Sequence, residues 1–313
     1  MSLLVVGSLG LDTLETPFGR ADDVLGGSGS YFSLAASLYT NVQLVAVVGQ
    51  DFPSEYLDLL ETHGVDLAGL KRAPGRTFRW GGKYQYDLSA RDTLFTELGV
   101  FADFHPALPA SYRRAEQVFL ANIHPALQLE VLEQVDRPRL KALDSMNLWI
   151  NTARQTLTTA ISRVDIVTIN DSEAREYAGV HNLFAAARNM LDLGPRAVVV
   201  KKGEHGALLI WGEGVFFAPA YPLEDIVDPT GAGDAFAGGF LGYLAQTGDF
   251  SFAGIKKAMI HGSVVASFTV EAFGTARLAQ VSADEIAARY AVFRELTSFE
   301  PFPNPARERV RSS

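Results

Sequence analysis

Asp228-Pro229-Thr230-Gly231-Ala232-Gly233-Asp234-Ala235-Phe236-Ala237-Gly238-Gly239-Phe240 decides the reading of this chain. A Gly-rich turn runs straight into a helical stretch, and one carboxylate, Asp234, stands directly behind the turn. Exposed amides of such a turn can point at phosphate oxygens, and the positive end of the helix dipole favours an anion there. That arrangement suits phosphoryl transfer. Gly231, Ala232 and Gly233 would offer backbone N–H groups to the charge on the moving group, as an anion hole, and Asp234 would accept the proton of an attacking hydroxyl as general base. The alternative is a tight turn that Asp234 merely caps. Gly238, Gly239 and Gly242 weigh against it, because each costs a helix about 1 kcal/mol relative to Ala unless something must approach closely.

On either side of this stretch, short β-branched runs alternate with amphipathic helical segments, the pattern of a mostly parallel central sheet with helices on both faces. Residues 3–6, 43–48, 117–121, 140–143, 165–168 and 197–201 predict strands, and 31–38, 148–161 and 183–191 predict helices, with Ser30 and Asn170 at cap positions. The expectation is a single α/β domain of three layers, αβα, over residues 1–313, with 301–313 frayed because Pro301, Pro303 and Pro305 precede an Arg-rich end. Residues 76–101 break the alternation. They open Arg76-Thr77-Phe78-Arg79-Trp80-Gly81-Gly82-Lys83-Tyr84, a β-rich aromatic run without helical period, and predict a small projecting sheet. Such a sheet either covers an edge of the main one or serves as a lid. Exposed aromatics need a partner surface, which favours the lid and allows a homodimer built through it.

Composition narrows the class. The 313 residues could bury roughly three quarters of their unfolded surface, enough for one large domain with an appendage. With no cysteine, disulfides, thiolate nucleophiles and cysteine-ligated metals are excluded. A formal net charge of −9 argues against a nucleic-acid partner, since backbone binding needs concentrated Lys and Arg. No basic region followed by an apolar run opens the chain, and no apolar stretch approaches about 18 residues, so no membrane partner is expected and a cytoplasmic location is.

With its further landmarks, the stretch from Asp228 closely resembles the second signature of the ribokinase-like sugar kinases, the PfkB family. Leu3 to Asp12 resembles that family's first strand and substrate-binding Asp; Gly26-Gly27-Ser28-Gly29-Ser30 resembles its first Gly-rich signature; Asn170-Asp171-Ser172-Glu173 matches its Asn-x-x-Glu element, between the two signatures. The resemblance implies a ribokinase-like fold whose lid combines residues 13–18 and 76–101. It implies ATP as phosphoryl donor and Mg²⁺, around which Asn170 and Glu173 order water. The same pair is equally a capping arrangement, Asn170 as cap and Glu173 returning the bond.

The remaining site residues follow from the same likeness. Asp12 would accept hydrogen bonds from neighbouring hydroxyls, while Gly26 and Gly27 let the acceptor approach the backbone. Tyr31 stands where sugar kinases of this type commonly have Asn, which makes ribose itself a poor fit, and Asn122 and His124 follow a strand toward the same cleft. Lys201, where many relatives have Thr, is assigned to the ATP phosphates with Gly203, Gly206 and Thr230, and His261 aligns with an adenine-neighbouring position. Asp228 and the loop 269–274 match a monovalent-cation site of some relatives, although Glu271-Ala272-Phe273 departs from their pattern; K⁺ activation stays open. Asp144 and Asn147 resemble a distorted Asp-Pro-Asn segment that either supports the site or caps the helix at Leu148.

The reading is an ATP-dependent kinase transferring the γ-phosphate to a hydroxyl of a sugar or polyol. A nucleoside kinase is the alternative, because Tyr31 and the lid aromatics could stack on a base. A sugar-phosphate kinase would use Arg79, Lys83 and Arg91 from the lid. A non-catalytic sugar or nucleotide sensor is opposed by the full catalytic set. No Gly-x-x-x-x-Gly-Lys-Ser/Thr is present, and Gly231-x-Gly233-x-x-Phe236 lacks the third glycine of a dinucleotide fingerprint.

Overall fold

The computed structural model describes residues 2–88, 90–212 and 214–299; the tail expected to fray, 301–313, lies outside the described residues. The elements run β1 (Leu3–Val6), β2 (Gly10–Thr16), β3 (Gly19–Gly26), α1 (Ser28–Ser37), β4 (Val42–Val48), α2 (Ser54–Thr62), β5 (Val65–Arg72), β6 (Phe78–Tyr84) and β7 (Arg91–Glu97). Then come β8 (Gln117–Leu120), α3 (Pro125–Gln134), β9 (Leu140–Asp144), α4 (Asn147–Thr152), α5 (Arg154–Ile161), β10 (Ile166–Asn170), α6 (Asp171–Ala178), α7 (Leu183–Leu191) and β11 (Ala197–Lys201). The chain continues through β12 (Ala207–Trp211), β13 (Gly214–Ala218), α8 (Ala232–Thr247), α9 (Phe252–Thr269) and α10 (Ala283–Leu296).

A nine-stranded sheet of order β13-β12-β11-β10-β9-β8-β1-β4-β5 forms the middle layer. From β11 to β5 every neighbouring pair is parallel, and the pairs β11–β12 and β12–β13 at one edge are antiparallel. Side chains of a strand alternate between faces. Leu3 and Val5 accordingly enter one core with α1, α8 and α9, while Leu4 and Val6 enter the other with α3, α5, α6 and α7. Burial on both faces explains why the strands read as unbroken Val, Ile and Leu runs.

A second sheet has the order β3-β2-β6-β7. Its first hairpin is larger than the expected 13–18, because the chain turns at Phe18 and returns as a full strand. β2 pairs parallel with β6 and antiparallel with β3, and the register shifts between Asp12 and Leu14. Such a bulge re-aims a side chain, and here it lies beside the acceptor candidate Asp12.

Two expected helices are corrected. The first begins at Ser28, capped by Gly27 at φ 90°, a backbone conformation suited to glycine. Ser30 is therefore not the cap; its hydroxyl donates to Gly26 O at 2.6 Å. The stretch 148–161 divides into α4 and α5 at Ala153, where φ is −138° and ψ 31°. The glycines of α8 also find their reason. A Cβ on Gly238 would lie 2.6 Å from Phe32 O, and one on Gly239 2.9 Å from Val265 Cβ, so α1 and α9 pack onto the helix backbone.

Candidate active site

Parallel strands deliver their C-terminal ends to one edge of a sheet, and in such folds that edge carries the site. Here Asp144 ends β9, Asn170 ends β10 and Lys201 ends β11. The start of α8 faces them. Its cap, Gly231, sits at φ 75°, a left-handed conformation, and a Cβ there would collide with the Tyr31 ring. The first amides of a helix have no partner within it. Ala232 N donates to Pro229 O at 3.3 Å, whereas no such backbone bond from Gly231 N or Gly233 N occurs among the described residues. Those two amides are left to meet an anion.

Charge gathers around this turn. Lys201 Nζ pairs with Asp144 Oδ2 and lies 3.1 Å from the place of a Gly233 Cβ. Burial would push the Lys201 ammonium down, but Asp144, Asp234 and Glu173 outweigh it and hold it above its ordinary value. Asp234 is pushed up to about 7 by burial and then by Asp144, against the pull of Lys201 and Arg91. Glu173 is likewise pushed to about 7, by burial and Asp144, with Lys201, the Asn170 amide and Arg91 opposing. Asp12, buried against Gly26, rises to about 8 through burial and the neighbouring Asp228, although the Gly27 amide donates to it. A carboxylate titrating near neutrality is suited to accept a proton.

Asn170 and Glu173 form a full capping box: Glu173 N donates to Asn170 Oδ1 at 2.8 Å and Asn170 N donates to Glu173 Oε2 at 3.1 Å. Asp144 does not cap the helix at Leu148, whose cap is Met146; the carboxylate is spent on Lys201 and on Ser145 N at 2.8 Å. Asp228 is fully buried, and its oxygens accept from Thr230 N at 2.9 Å and Gly274 N at 3.2 Å. Thr230 Oγ1 donates to the Tyr84 hydroxyl at 3.0 Å, which ties the signature turn to the second sheet.

Of the three cations considered on that sheet, Arg79 pairs with Asp23 and Asp51, and Lys83 lies 3.4 Å from Glu15. Arg91 differs. It stacks 4.9 Å from the Trp80 ring centroid, bonds the Tyr84 hydroxyl, and its charge reaches Asp12, Glu173 and Asp234. Sequence singled out neither Arg91 from the other two nor Tyr84 from its aromatic neighbours, since only tertiary placement separates them.

Other candidates sit differently. Tyr31 is 1% exposed, its hydroxyl without a hydrogen-bond partner, and its ionisation is opposed by burial, Asp12, Asp228, Tyr84 and Asp234. Asn122 uses its amide oxygen to accept from Trp149 Nε1 at 3.0 Å, and His124 caps α3 by accepting from Ala126 N at 3.1 Å. His261 is enclosed by Tyr39, Tyr243 and Tyr290, with Tyr243 stacked at 4.1 Å, Tyr290 at 4.7 Å and the Tyr39 hydroxyl 3.0 Å from Nδ1. Burial drives it down to about 4, so it is neutral and packed as an aromatic. Gly203 and Gly206 form the turn after β11, both at positive φ; at Gly206 any Cβ would strike the backbone following β13, whereas Gly203 has open space.

Free helix-start amides, a fixed ammonium and a carboxylate pushed up toward neutrality make the start of α8 the candidate site for phosphoryl transfer. Family comparison states the class more closely: residues 20–281 match the model of the pfkB family carbohydrate kinases, and the chain belongs to that family. It is an ATP-dependent kinase acting on a hydroxyl group of a sugar or nucleoside. The cytidine kinase of Thermococcus kodakarensis is 35% identical over 248 residues, which cover 77% of this chain and 87% of that protein. Two solved structures share the fold. The Burkholderia thailandensis nucleoside kinase in complex with inosine matches with TM-score 0.74 at 19% identity, over 96% of this chain and 100% of that one. A ribokinase II candidate from E. coli in complex with ATP and Mg²⁺ matches with TM-score 0.74 at 17% identity, over 93% and 99%. No helix among the described residues is long and apolar enough to cross a membrane.

Proposed function

We propose that this kinase transfers the γ-phosphoryl group of ATP to a primary hydroxyl of a nucleoside, with Asp234 as the base. The observation that carries the reading is Asp234 itself: a carboxylate pushed up to about 7, one residue behind the free Gly233 amide and beside the Lys201 ammonium. In-line transfer asks the protein chiefly for positioning and for donors aimed at the phosphoryl oxygens. Gly231 and Gly233 would supply the amides and Lys201 the fixed positive charge. Asp234 would take the hydroxyl proton as the oxygen attacks.

The donor set suits Mg²⁺ held largely by water and phosphate. Among the described residues no cluster of three or more His, Asp or Glu side chains could cage a metal, while Glu173 carries an acidic group that Lys201 only partly offsets. Mg²⁺ binds through few protein oxygens and keeps several waters, which Asn170 and Glu173 would order. When bound it neutralises triphosphate charge.

For the acceptor, Asp12 supplies a buried carboxylate that vicinal ribosyl hydroxyls can satisfy, and Gly26 leaves room for that carboxylate. The cytidine kinase relative and the inosine-bound structural neighbour favour a nucleoside over the simple sugar or polyol that the sequence placed first. The second sheet would act as the lid, its Tyr84 and Arg91 closing over the acceptor and excluding water. A cytoplasmic location accords with ATP as donor.

The test is a screen of ribonucleosides, deoxynucleosides, free sugars and inositols by coupled ADP release, run in K⁺ and in a large organic cation. A ribonucleoside is expected to give the highest kcat/KM. A free sugar or polyol that outperforms every nucleoside would overturn the acceptor assignment, and equal rates in the two salts would remove Asp228 from any cation role.

A further inference from the structure

Lys201 leaves the end of β11 and Asp144 the end of β9, with β10 between them. Adjacent strands stand about 4.8 Å apart. The Lys201–Asp144 ion pair therefore draws the lysine sideways across the end of β10 rather than outward along its own strand. Asp144 is well anchored for this. Its side chain is 4% exposed, Oδ1 accepts from Ser145 N at 2.8 Å, and its carbonyl accepts from Gln128 Nε2 at 2.9 Å. The captured ammonium ends 3.1 Å from the place of a Gly233 Cβ, over the unpaired amides at the start of α8.

Two further carboxylates face the same ammonium, Asp234 and Glu173. Lysine is a compact charge on a flexible stem, so without a fixed partner it would settle on whichever carboxylate lies within reach. Settling on Asp234 would neutralise the base.

We propose that Asp144 is a positioning residue for the transfer: it holds Lys201 Nζ over the α8 N-terminus, where the triphosphate oxygens must lie, and keeps it off Asp234. Cation and base then work side by side without cancelling. This rests on the reading of Asp234 as base. The charged groups acting on Asp234 are Asp144 and Lys201 from the strand ends and Arg91 from β7 of the second sheet, and Asp12 from β2 of that sheet is itself raised by Asp234. Tyr31, from α1, also faces it. Loss of Asp144 would remove a repelling charge and release an attracting one, both of which make Asp234 easier to ionise.

The experiment compares D144N, D144E, K201M, D144N/K201M and D234N in the full chain, with ATP, Mg²⁺ and the best acceptor, following kcat, KM for ATP, pH profile and melting temperature. D144N is expected to lose about 10- to 100-fold in kcat with KM for ATP within about 3-fold, and its acid limb should move down by about one pH unit. K201M should move the limb up, and the double variant should return it toward wild type. D144E, still able to reach the ammonium, should recover most of the turnover. D144N that turns over within about twofold of wild type with an unmoved profile overturns the proposal, as does D144E equal to D144N in rate and profile. Should D144N fail to fold, K201M decides: an upward limb supports the proposal and an unmoved one overturns it. D234N with near-normal turnover would overturn the base assignment as well, whereas a slow D234N beside a normal D144N overturns only the role of Asp144.

Discussion

Around the start of α8 gather Asp12, Asp144, Glu173, Asp228 and Asp234 with Lys201 and Arg91; where α9, α10 and the loop between them meet, Glu271 and Glu285 face Arg277 and Arg289. The second set is balanced. Arg277 Nε lies 3.0 Å from Glu271 and Nη2 2.6 Å from Glu285, Arg289 pairs with Glu271, and both guanidinium groups stack on Phe268, at 4.9 and 3.7 Å. Glu285 is held down to about 2 by the Ser282 amide and Arg277, while Asp234 and Glu173 are pushed up to about 7. Matched charges stabilise a joint between elements. Surplus acid at the sheet edge does the opposite: it costs folding free energy and is relieved only by protons or by an incoming cation, as a Mg²⁺-bound nucleotide would provide.

The contrast is broken most severely at Asp234. D234N should lower kcat by about 10²–10⁴-fold while leaving nucleotide and acceptor binding nearly intact by calorimetry, and near-normal turnover would exclude it as base. A milder probe is Asp12. Its carboxyl is raised to about 8 in the folded chain, so the native state holds that proton more tightly than the unfolded chain does. Stability from this group is therefore lost as pH climbs from the unfolded value near 3.8 through about 8. D12N should abolish acceptor binding yet gain on the order of 2 kcal/mol in denaturant unfolding at pH 9, with little gain at pH 4. No gain at pH 9 would mean that Asp12 is not strained. The smallest change is expected in the balanced set: R289A should cost about 1 kcal/mol of stability and leave KM for ATP unaltered, and a raised KM would join that cluster to the site.

Local chemistry made much of the candidate site readable. Asp234, the Gly231 turn and the Asn170–Glu173 box depend on residues adjacent or three apart along the chain, where geometry follows from helix periodicity. Lys201 was readable only as a cation that could reach phosphate; that it crosses β10 to Asp144 was not, because β9 and β11 flank β10 only once the sheet assembles. His261 shows the reverse case. The family resemblance suggested an adenine neighbour, and packing surrounds it with Tyr39 from the turn after α1, Tyr243 from α8 and Tyr290 from α10.

By itself the sequence determined the α/β architecture, since strand and helix periods and buried Val and Ile runs are local properties, and it determined the turn chemistry at Asp228 to Asp234. Tertiary structure alone decided which charges confront one another: Arg91 rather than Arg79 or Lys83 at the site, Asp144 on Lys201 rather than on a helix cap, and the excess of carboxylates around α8. Coulomb interactions depend on distance and burial through space, and neither is written in spacing along the chain.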